Sequence, residues 1–412
     1  MAKLEYGAPF WLERVPAGRR PDHPRLRGHL EAEVAIVGGG LTGCTIAWTF
    51  AAANVDVVLL EGHRLGQGMG AARSLGLLRQ EPDAGFQDIA APYGLRAARR
   101  IWQDVRRASL DFAAALRRLR VRCDLETSDA IWFTRSGDEK RLRKELKARR
   151  DAGVTQDGSS WLTAAQLRRE TAIAGGGGLK TRGVAQMDPY RACLGLAAAA
   201  TTRGAEIYER SPVTRIRVRR RGVDLTTAGG TIHADRVVIA TGHPPDDLRS
   251  LRRHFTRLHT YIVQTETLPA AMRRAVGRRA AVLRDAEQPP RFLRWARGDR
   301  IMFAAGDQPA VADRSRPKVL VQRTGQLMYE LSTHYPAVSG IPAVSGWDAA
   351  FSQTRDGLPY FGPHRNFPRL LFALGHGRHG AGLCYLAARV LLRAHQESPD
   401  HGDELFAFTR TV

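Results

Sequence analysis

Ala32-Glu-Val-Ala-Ile-Val-Gly38-Gly-Gly40-Leu-Thr-Gly43-Cys44, followed by Val55 to Leu60 and then Glu61, decides the fold of this chain. The apolar, largely β-branched run Val34 to Val37 predicts a fully buried strand. The chain then turns at Gly38, passes Gly40 and enters an apolar helix through Gly43. Gly38 permits a tight turn, Gly40 lets a diphosphate approach the backbone, and Gly43 lets helix pack closely on strand. The start of the helix offers unpaired N–H groups and the positive end of its dipole to the phosphates. Val55 to Leu60 predicts the next strand, and Glu61 stands at the spacing of an acceptor for a ribose 2′-hydroxyl. Strand, glycines, helix, second strand and acid fall in register, which predicts a dinucleotide site. The acid disfavours a 2′-phosphate, so NADP is the least expected occupant.

The rest of the composition bounds the setting. At 412 residues there is chain enough for two domains, or for one nucleotide domain with a large insertion. Hydrophobic and charged fractions of 43% and 25% are those of a folded globular protein. No apolar run approaches the length of a membrane span, and the first residues do not read as a secretory signal. Cys44, Cys123, Cys193 and Cys384 are scattered singly without metal-ligand spacing, so free thiols, no metal site and a cytoplasmic setting are expected. The net charge of +22 comes chiefly from arginine, in runs such as Arg141 to Arg150, Arg215 to Arg221 and Arg249 to Arg253. These are spread along the chain without interleaved aromatic residues, so they are read as solvated faces, with no specific nucleic-acid partner expected.

Residues Met1 to His29 read as an irregular lead-in. Helices are predicted over Tyr93 to Leu119, Glu139 to Arg150, Arg191 to Arg203 and Ala381 to His395, with a short one from Ser160 to Glu170 in which Thr163 is the N-cap. Gly175 to Gly178 are read as a loop. Ala130 to Thr134, Ala205 to Glu209, Val213 to Val218 and Asp235 to Gly242 are predicted strands, and Gly229-Gly230 a hairpin turn. From Phe255 to Ala343 the pattern shifts to alternating strands (Tyr261 to Thr267, Phe292 to Ala296, Ile301 to Phe303) with a helix near Thr324 to Thr333. A strand at Leu370 to Leu374 then leads to Gly375-His-Gly-Arg-His-Gly380.

The order of these motifs carries a resemblance. The glycine turn with Glu61, Met187-Asp188-Pro-Tyr before a helix, Val-Ile-Ala-Thr241-Gly242, Thr354-Arg-Asp356-Gly-Leu-Pro359 and Gly375 to Gly380 together resemble the D-amino-acid-oxidase-type FAD oxidoreductases. That family includes glycine oxidase, sarcosine oxidase and γ-glutamylputrescine oxidase, and the lead-in is most similar to the last of these. The resemblance spans about Trp11 to Leu392. It implies a mixed α/β and α+β chain. A split Rossmann-like FAD-binding domain (31–100, 184–254 and 344–412, after the lead-in 1–30) would carry an inserted antiparallel-sheet substrate domain (101–183 and 255–343). It also implies that Gly38, Gly40, Leu41, Thr42 and Gly43 meet the pyrophosphate, Glu61 the ribose, and Val213 the adenine end. Thr241 and Gly242 would lie beside the diphosphate. Ala71 to Leu78, with Ala72, Ser74 and Leu75, would flank the isoalloxazine, and Gly375, His376, Gly377, Arg378, His379 and Gly380 its pyrimidine edge. Glycines before a helix offer N–H groups where a reduced flavin gathers negative charge.

Three departures shape the expected chemistry. The arginine that holds the substrate carboxylate in glycine-oxidase-like proteins, four residues after a tryptophan-type position, is here Phe351, and an apolar ring cannot replace a guanidinium. No counterpart of the flavin-tethering cysteine of monomeric sarcosine oxidases stands near Trp347 to Asp356, so FAD is expected to be non-covalent. Arg355 occupies a place often held by proline or a small residue. The expected reaction is oxidation of the C–N bond of a primary or secondary amine to an imine, by hydride transfer to flavin N5, with oxygen or an electron carrier as acceptor. Phe351, Arg378 and Tyr261 are the substrate-side candidates, and Arg378 and His379 the candidates for chemistry. Asp188 is expected to order its turn and cap the following helix. The alternatives are a D-amino-acid-dehydrogenase-like enzyme with an acceptor other than oxygen, or a flavin-binding component that docks a carrier-bound or acidic partner.

Overall fold

The computed structural model describes residues 4–135, 139–155, 159–276, 281–378 and 380–410. The strand seeded by Val34 to Val37 extends over Gly28–Val37 and sits at the centre of one sheet. From one edge the order is Tyr360–His364, Phe367–Leu374, Gly230–Gly242, Gly28–Val37, Val57–Leu60 and Glu206–Tyr208. The last five run parallel, while Tyr360–His364 is antiparallel to its neighbour. Parallel strands need cover on both faces, which is why their sequences are apolar runs rather than alternations. Helices Leu41–Ala52, Phe86–Arg118, Pro189–Thr201 and Ala381–His395 cover one face. The hairpin Arg215–Val218/Val223–Thr226, with Leu248, Leu251 and Phe255, closes the other.

The second sheet runs Glu5–Tyr6, Ala343–Gln353, Thr256–Thr265, Arg300–Pro309, Phe292–Ala296, Ala281–Asp285, Glu126–Thr134, Gly177–Gln186, Leu77–Leu78. Ser160–Thr163 pairs with Gly177–Gln186 beside that path. Ala343–Gln353 and Leu77–Leu78 come from segments grouped above with the FAD-binding part, yet they hydrogen-bond into this sheet. One face, with Tyr261, Val263, Leu283, Leu293 and Phe303, packs under helix Arg316–His334. The opposite face, with Ile262, Val282, Phe292, Met302 and Trp347, packs on Leu75, Leu77, Tyr190 and Trp11. The segment Ala71 to Leu78 lies between the two sheets, with Leu75 and Leu77 packed on this face and Ala71 and Leu78 in the core of the parallel sheet and its helices.

Several local expectations change. The lead-in is not wholly irregular: Glu5–Tyr6 pairs parallel to Ala343–Gln353, and helix Phe10–Glu13 buries Phe10 and Trp11. The helix expected from Tyr93 begins at Phe86 and is broken at Gly94, which follows Pro92 and takes a left-handed φ of 77°. Ser160–Thr163 is a strand, and helix Ala164–Thr171 follows it. Thr163 does cap that helix, accepting from the Gln166 N–H while Gln166 reaches back to the Thr163 N–H. Gly177 and Gly178 belong to a strand instead of a loop; a side chain at Gly177 would run into the Trp161 ring at 2.5 Å.

Candidate functional site

The glycine turn has the geometry that the sequence asks for. Gly38 takes φ 109°, and a Cβ there would meet the Ala240 carbonyl at 2.7 Å, so strand end and turn pass in direct contact. A Cβ on Gly43 would lie 1.8 Å from the Gly38 carbonyl oxygen. Gly40 differs: a Cβ there meets nothing within 4 Å. Gly40 is the N-cap of helix Leu41–Ala52 and supplies no side-chain cap, and the first intrahelical bond runs from the Cys44 N–H to the Gly40 carbonyl. The N–H groups of Leu41, Thr42 and Gly43 therefore lie at an uncapped helix start facing open space, which suits a diphosphate.

Glu61 is placed as expected at the end of Val57–Leu60, and its carboxylate also ties the turn together. One oxygen accepts from the Gly39 N–H at 2.6 Å and the other from the His63 N–H at 2.8 Å. Val213 is brought alongside by the bond from the Ser211 N–H to the Glu61 carbonyl. Thr241 and Gly242 end the strand that touches Gly38, and a Cβ on Gly242 would find open space.

The loop Ala71 to Leu78 is held by its carbonyls. Trp11 Nε1–H donates to Ser74 O at 2.8 Å and Trp347 Nε1–H to Arg73 O at 2.9 Å. Arg294 donates to Leu75 O at 2.6 Å, to Met187 O at 3.2 Å and to Gly76 O at 3.4 Å. Burial pulls the Arg294 pKa down to about 10. None of these three anchors was identified from the sequence as part of the site. The signal for Arg294 was present, a single arginine in the otherwise apolar strand Phe292–Ala296. Arg294→Met should lower stability by about 2–3 kcal/mol, because buried carbonyls are left without donors. A fall in the urea midpoint at unchanged m-value checks this.

Gly375 to Gly380 lies across from that loop. The Gly377 N–H donates to Ser352 O at 3.2 Å and the Arg378 N–H to Asp83 Oδ2 at 3.2 Å, while Gly380 bridges to Leu78. Gly380 is the uncapped N-cap of helix Ala381–His395, so this helix start also presents N–H groups to the space between the loops. Burial lowers the His376 pKa to about 4, so the imidazole is neutral near pH 7. His376 packs against Phe361, ring centroids 5.3 Å apart, and its Nε2 has no hydrogen-bond partner among the described residues. His379 lies outside the described residues.

Arg378 and Phe351 are brought together, and Tyr261 is not. The Arg378 guanidinium lies 5.5 Å from the Phe351 ring centroid and 5.3 Å from that of Phe292. It forms a buried ion pair with Asp307 and donates to Pro290 O at 3.1 Å. Burial, only partly offset by nearby acids, pulls its pKa down to about 10. Asp307 was not identified from the sequence; its second carboxylate oxygen, Oδ1, is buried without a hydrogen-bond partner among the described residues. Tyr261 faces the other side of the sheet, under helix Arg316–His334, where its hydroxyl accepts from Gln308 at 2.7 Å. The expectation that it borders the substrate is corrected. Asp188 accepts from the Tyr190 and Arg191 N–H groups at 3.1 and 3.0 Å, the capping role expected of it. Among the described residues no group of three metal-ligating side chains gathers, and no helix is long and apolar enough to cross a membrane.

Comparison with known proteins agrees with this geometry. The family profile described as FAD dependent oxidoreductase matches residues 33–394. The chain is 25% identical to gamma-glutamylputrescine oxidoreductase of Escherichia coli over 381 residues, covering 91% of this chain and 87% of that protein. It is 26% identical to glycine oxidase of Geobacillus kaustophilus over 355 residues, covering 84% and 88%. The crystal structure of that glycine oxidase superposes with a TM-score of 0.75 at 23% identity, covering 93% of this chain and 100% of the other. The two-sheet architecture is thus that of glycine oxidase.

Proposed function

The chain belongs to the FAD-dependent oxidoreductase family, and from that premise we propose that it oxidises the C–N bond of a primary or secondary amine lacking an α-carboxylate, giving the imine. FAD, when bound, supplies the acceptor for the hydride at its N5. The residues of this chain bind and place the reactants. The N–H groups of Leu41, Thr42 and Gly43 are assigned to the diphosphate, Glu61 to the ribose and Val213 to the adenine end. Thr241 and Gly242 are assigned beside the diphosphate. Ala71, Ala72, Ser74 and Leu75 are assigned to one side of the flavin ring, and Gly375, His376, Gly377, Arg378 and Gly380 to its pyrimidine edge.

One observation carries the substrate class: the unpartnered Oδ1 of Asp307 beside Arg378, with Phe292 and Phe351 as neighbours. The Arg378 charge is already matched by Asp307, so the guanidinium beside Phe351 is not free to take a carboxylate. A substrate α-carboxylate placed there would be buried without a partner, which is strongly unfavourable. An amine suits the same place, because its N–H groups give Asp307 the donor it lacks and aromatic faces attract a cation. Hydride removal needs the neutral amine. Since His376 is already neutral well below pH 7, the substrate ammonium itself governs the pH dependence. The rate of flavin reduction is therefore expected to rise with pH through the pKa of each substrate's ammonium group.

Anaerobic flavin reduction with matched pairs tests this reading. Simple alkylamines should reduce the flavin faster than glycine, sarcosine or D-alanine. A wild type that prefers the amino acids, and loses the preference in Arg378→Ala, would place a carboxylate anchor at Arg378 and overturn the amine assignment.

A further inference from the structure

Beyond Phe292, on the same side of the second sheet, lies a small cavity bordered by Arg79, Glu81, Trp132, Arg149 and Arg284. Most of its cations are matched. Arg79 pairs with Asp83 at 2.6 Å, and Arg149 with Glu81 at 3.1 Å and Glu145 at 2.8 Å. Arg284 is the exception. Among the described residues no carboxylate forms an ion pair with it; one terminal nitrogen donates to the Asp83 carbonyl at a long 3.4 Å, and its Nε–H donates to nothing. The guanidinium lies 4.5 Å from the Trp132 ring centroid and 5.7 Å from that of Phe292. Trp132 lines the same cavity, and its indole Nε1–H is also buried without an acceptor among the described residues. Burial and the neighbouring Arg79 pull the Arg284 pKa down to about 9, against the opposing pull of the Asp83 and Glu81 charges.

Two buried N–H donors, the Arg284 Nε–H and the Trp132 Nε1–H, therefore belong to residues bordering one cavity and lack an acceptor among the described residues, and leaving such groups unmet is costly. We propose that this cavity is a subsite for the carboxylate of the substrate, held by the Arg284 guanidinium and the Trp132 indole N–H. The substrate is then an amine whose carboxylate stands several bonds away from the carbon that is oxidised. Arg284 and Arg378 lie against the same Phe292 ring, so the cavity adjoins the amine site and the ring marks the boundary between the two ends. A flat, singly charged carboxylate matches an edge of guanidinium, whereas the Glu81 carboxylate on the cavity wall opposes a doubly charged phosphate. The amine end of this assignment rests on the reading of the preceding subsection; the carboxylate end stands on Arg284 and Trp132.

The test uses the FAD-loaded protein and two readouts. Calorimetry measures binding of butyrate, with butyramide as the uncharged control and inorganic phosphate as competitor. Anaerobic flavin reduction compares ω-amino carboxylates of four to six carbons with the alkylamines of equal length. Wild type should bind butyrate and not butyramide, and should prefer the ω-amino carboxylates. Arg284→Met should weaken butyrate binding about 30-fold or more and remove the preference while leaving alkylamines within about threefold, as expected for losing one partner of a buried charged pair. Trp132→Phe keeps the ring and removes only the donor; it should weaken butyrate binding about 5- to 10-fold. Butyrate binding indifferent to both substitutions would overturn the subsite, and phosphate displacing butyrate at lower concentration would overturn the carboxylate assignment. Arg284-dependent butyrate binding with no amine oxidised would retain the subsite and overturn the amine reading. Alkylamine oxidation without Arg284-dependent butyrate binding would do the reverse.

Discussion

Gly40→Val is expected to give a folded, colourless protein. The Gly40 backbone, at φ −78° and ψ −174°, is one that any residue adopts, and its Cβ position is free of protein atoms within 4 Å. Valine is a poorer N-cap than glycine, a cost of about 1 kcal/mol at most. The added side chain instead enters the space at the helix start where the FAD diphosphate is assigned. Forcing a bulky group against a tightly fitted partner costs about 3 kcal/mol, which is already more than a hundredfold in affinity. Gly43→Val should behave differently, because its Cβ would lie 1.8 Å from the Gly38 carbonyl and the helix would be pushed off the strand. Circular dichroism and a thermal melt should then show wild-type-like folding for Gly40→Val and a large loss for Gly43→Val. The flavin-to-protein absorbance ratio should fall in both. Acid precipitation of wild type should release FAD to the supernatant. A Gly40→Val protein with a full complement of flavin would remove the diphosphate from this turn.

The contrast between these glycines shows what a local stretch of sequence can carry. Val34 to Val37, the glycines and Glu61 interact within about thirty residues, so their physics was legible before any tertiary contact was known. Helix Ala381–His395 and strand Phe292–Ala296 were legible for the same reason, since each has one strong pattern and clear ends. The anchors of the Ala71 to Leu78 loop were not. Trp11 reaches Ser74 across 63 positions and Arg294 reaches Leu75 across 219. Tyr261 was misplaced for a different reason. Thr260, Tyr261, Ile262 and Val263 are all buried, and a strand covered on both faces erases the alternation that would say which way a side chain points. Charge hid the remaining parts of the site. Among 63 basic residues, composition cannot distinguish Arg284, Arg294 and Arg378 from those that cover a solvated surface.

A large, pH-dependent loss of stability is expected at Asp348, on the strand that also carries Trp347 and Phe351. Asp348 is 1% exposed, and its carboxylate accepts from His259 Nδ1 at 2.9 Å and from two Arg316 nitrogens at 2.8 Å. Arg73 adds its charge at 3.5 Å and donates to the Asp348 backbone carbonyl at 3.1 Å, which ties the strand to the Ala71 to Leu78 loop. Burial alone would raise the Asp348 pKa, but the bonds from His259 and Arg316 and the charges of Arg316 and Arg73 outweigh it and hold it well below the usual carboxylate range. Asp348→Asn keeps the shape and removes the charge that balances two arginines. Breaking such a buried pair costs about 3–5 kcal/mol, and the partial exposure of Arg316 places this case near 3 kcal/mol. The folded pKa lies below the unfolded value of about 3.9, so the contribution is complete above that pH and fades as pH falls toward the folded value. Urea midpoints should therefore differ widely between wild type and Asp348→Asn at pH 7 and converge on acidification below pH 4. An equal difference at pH 7 and pH 3 would mean that the variant is penalised for the packing of its amide rather than for the lost charge. Because the same carboxylate steadies Arg73, flavin occupancy of the variant should fall together with its stability at pH 7.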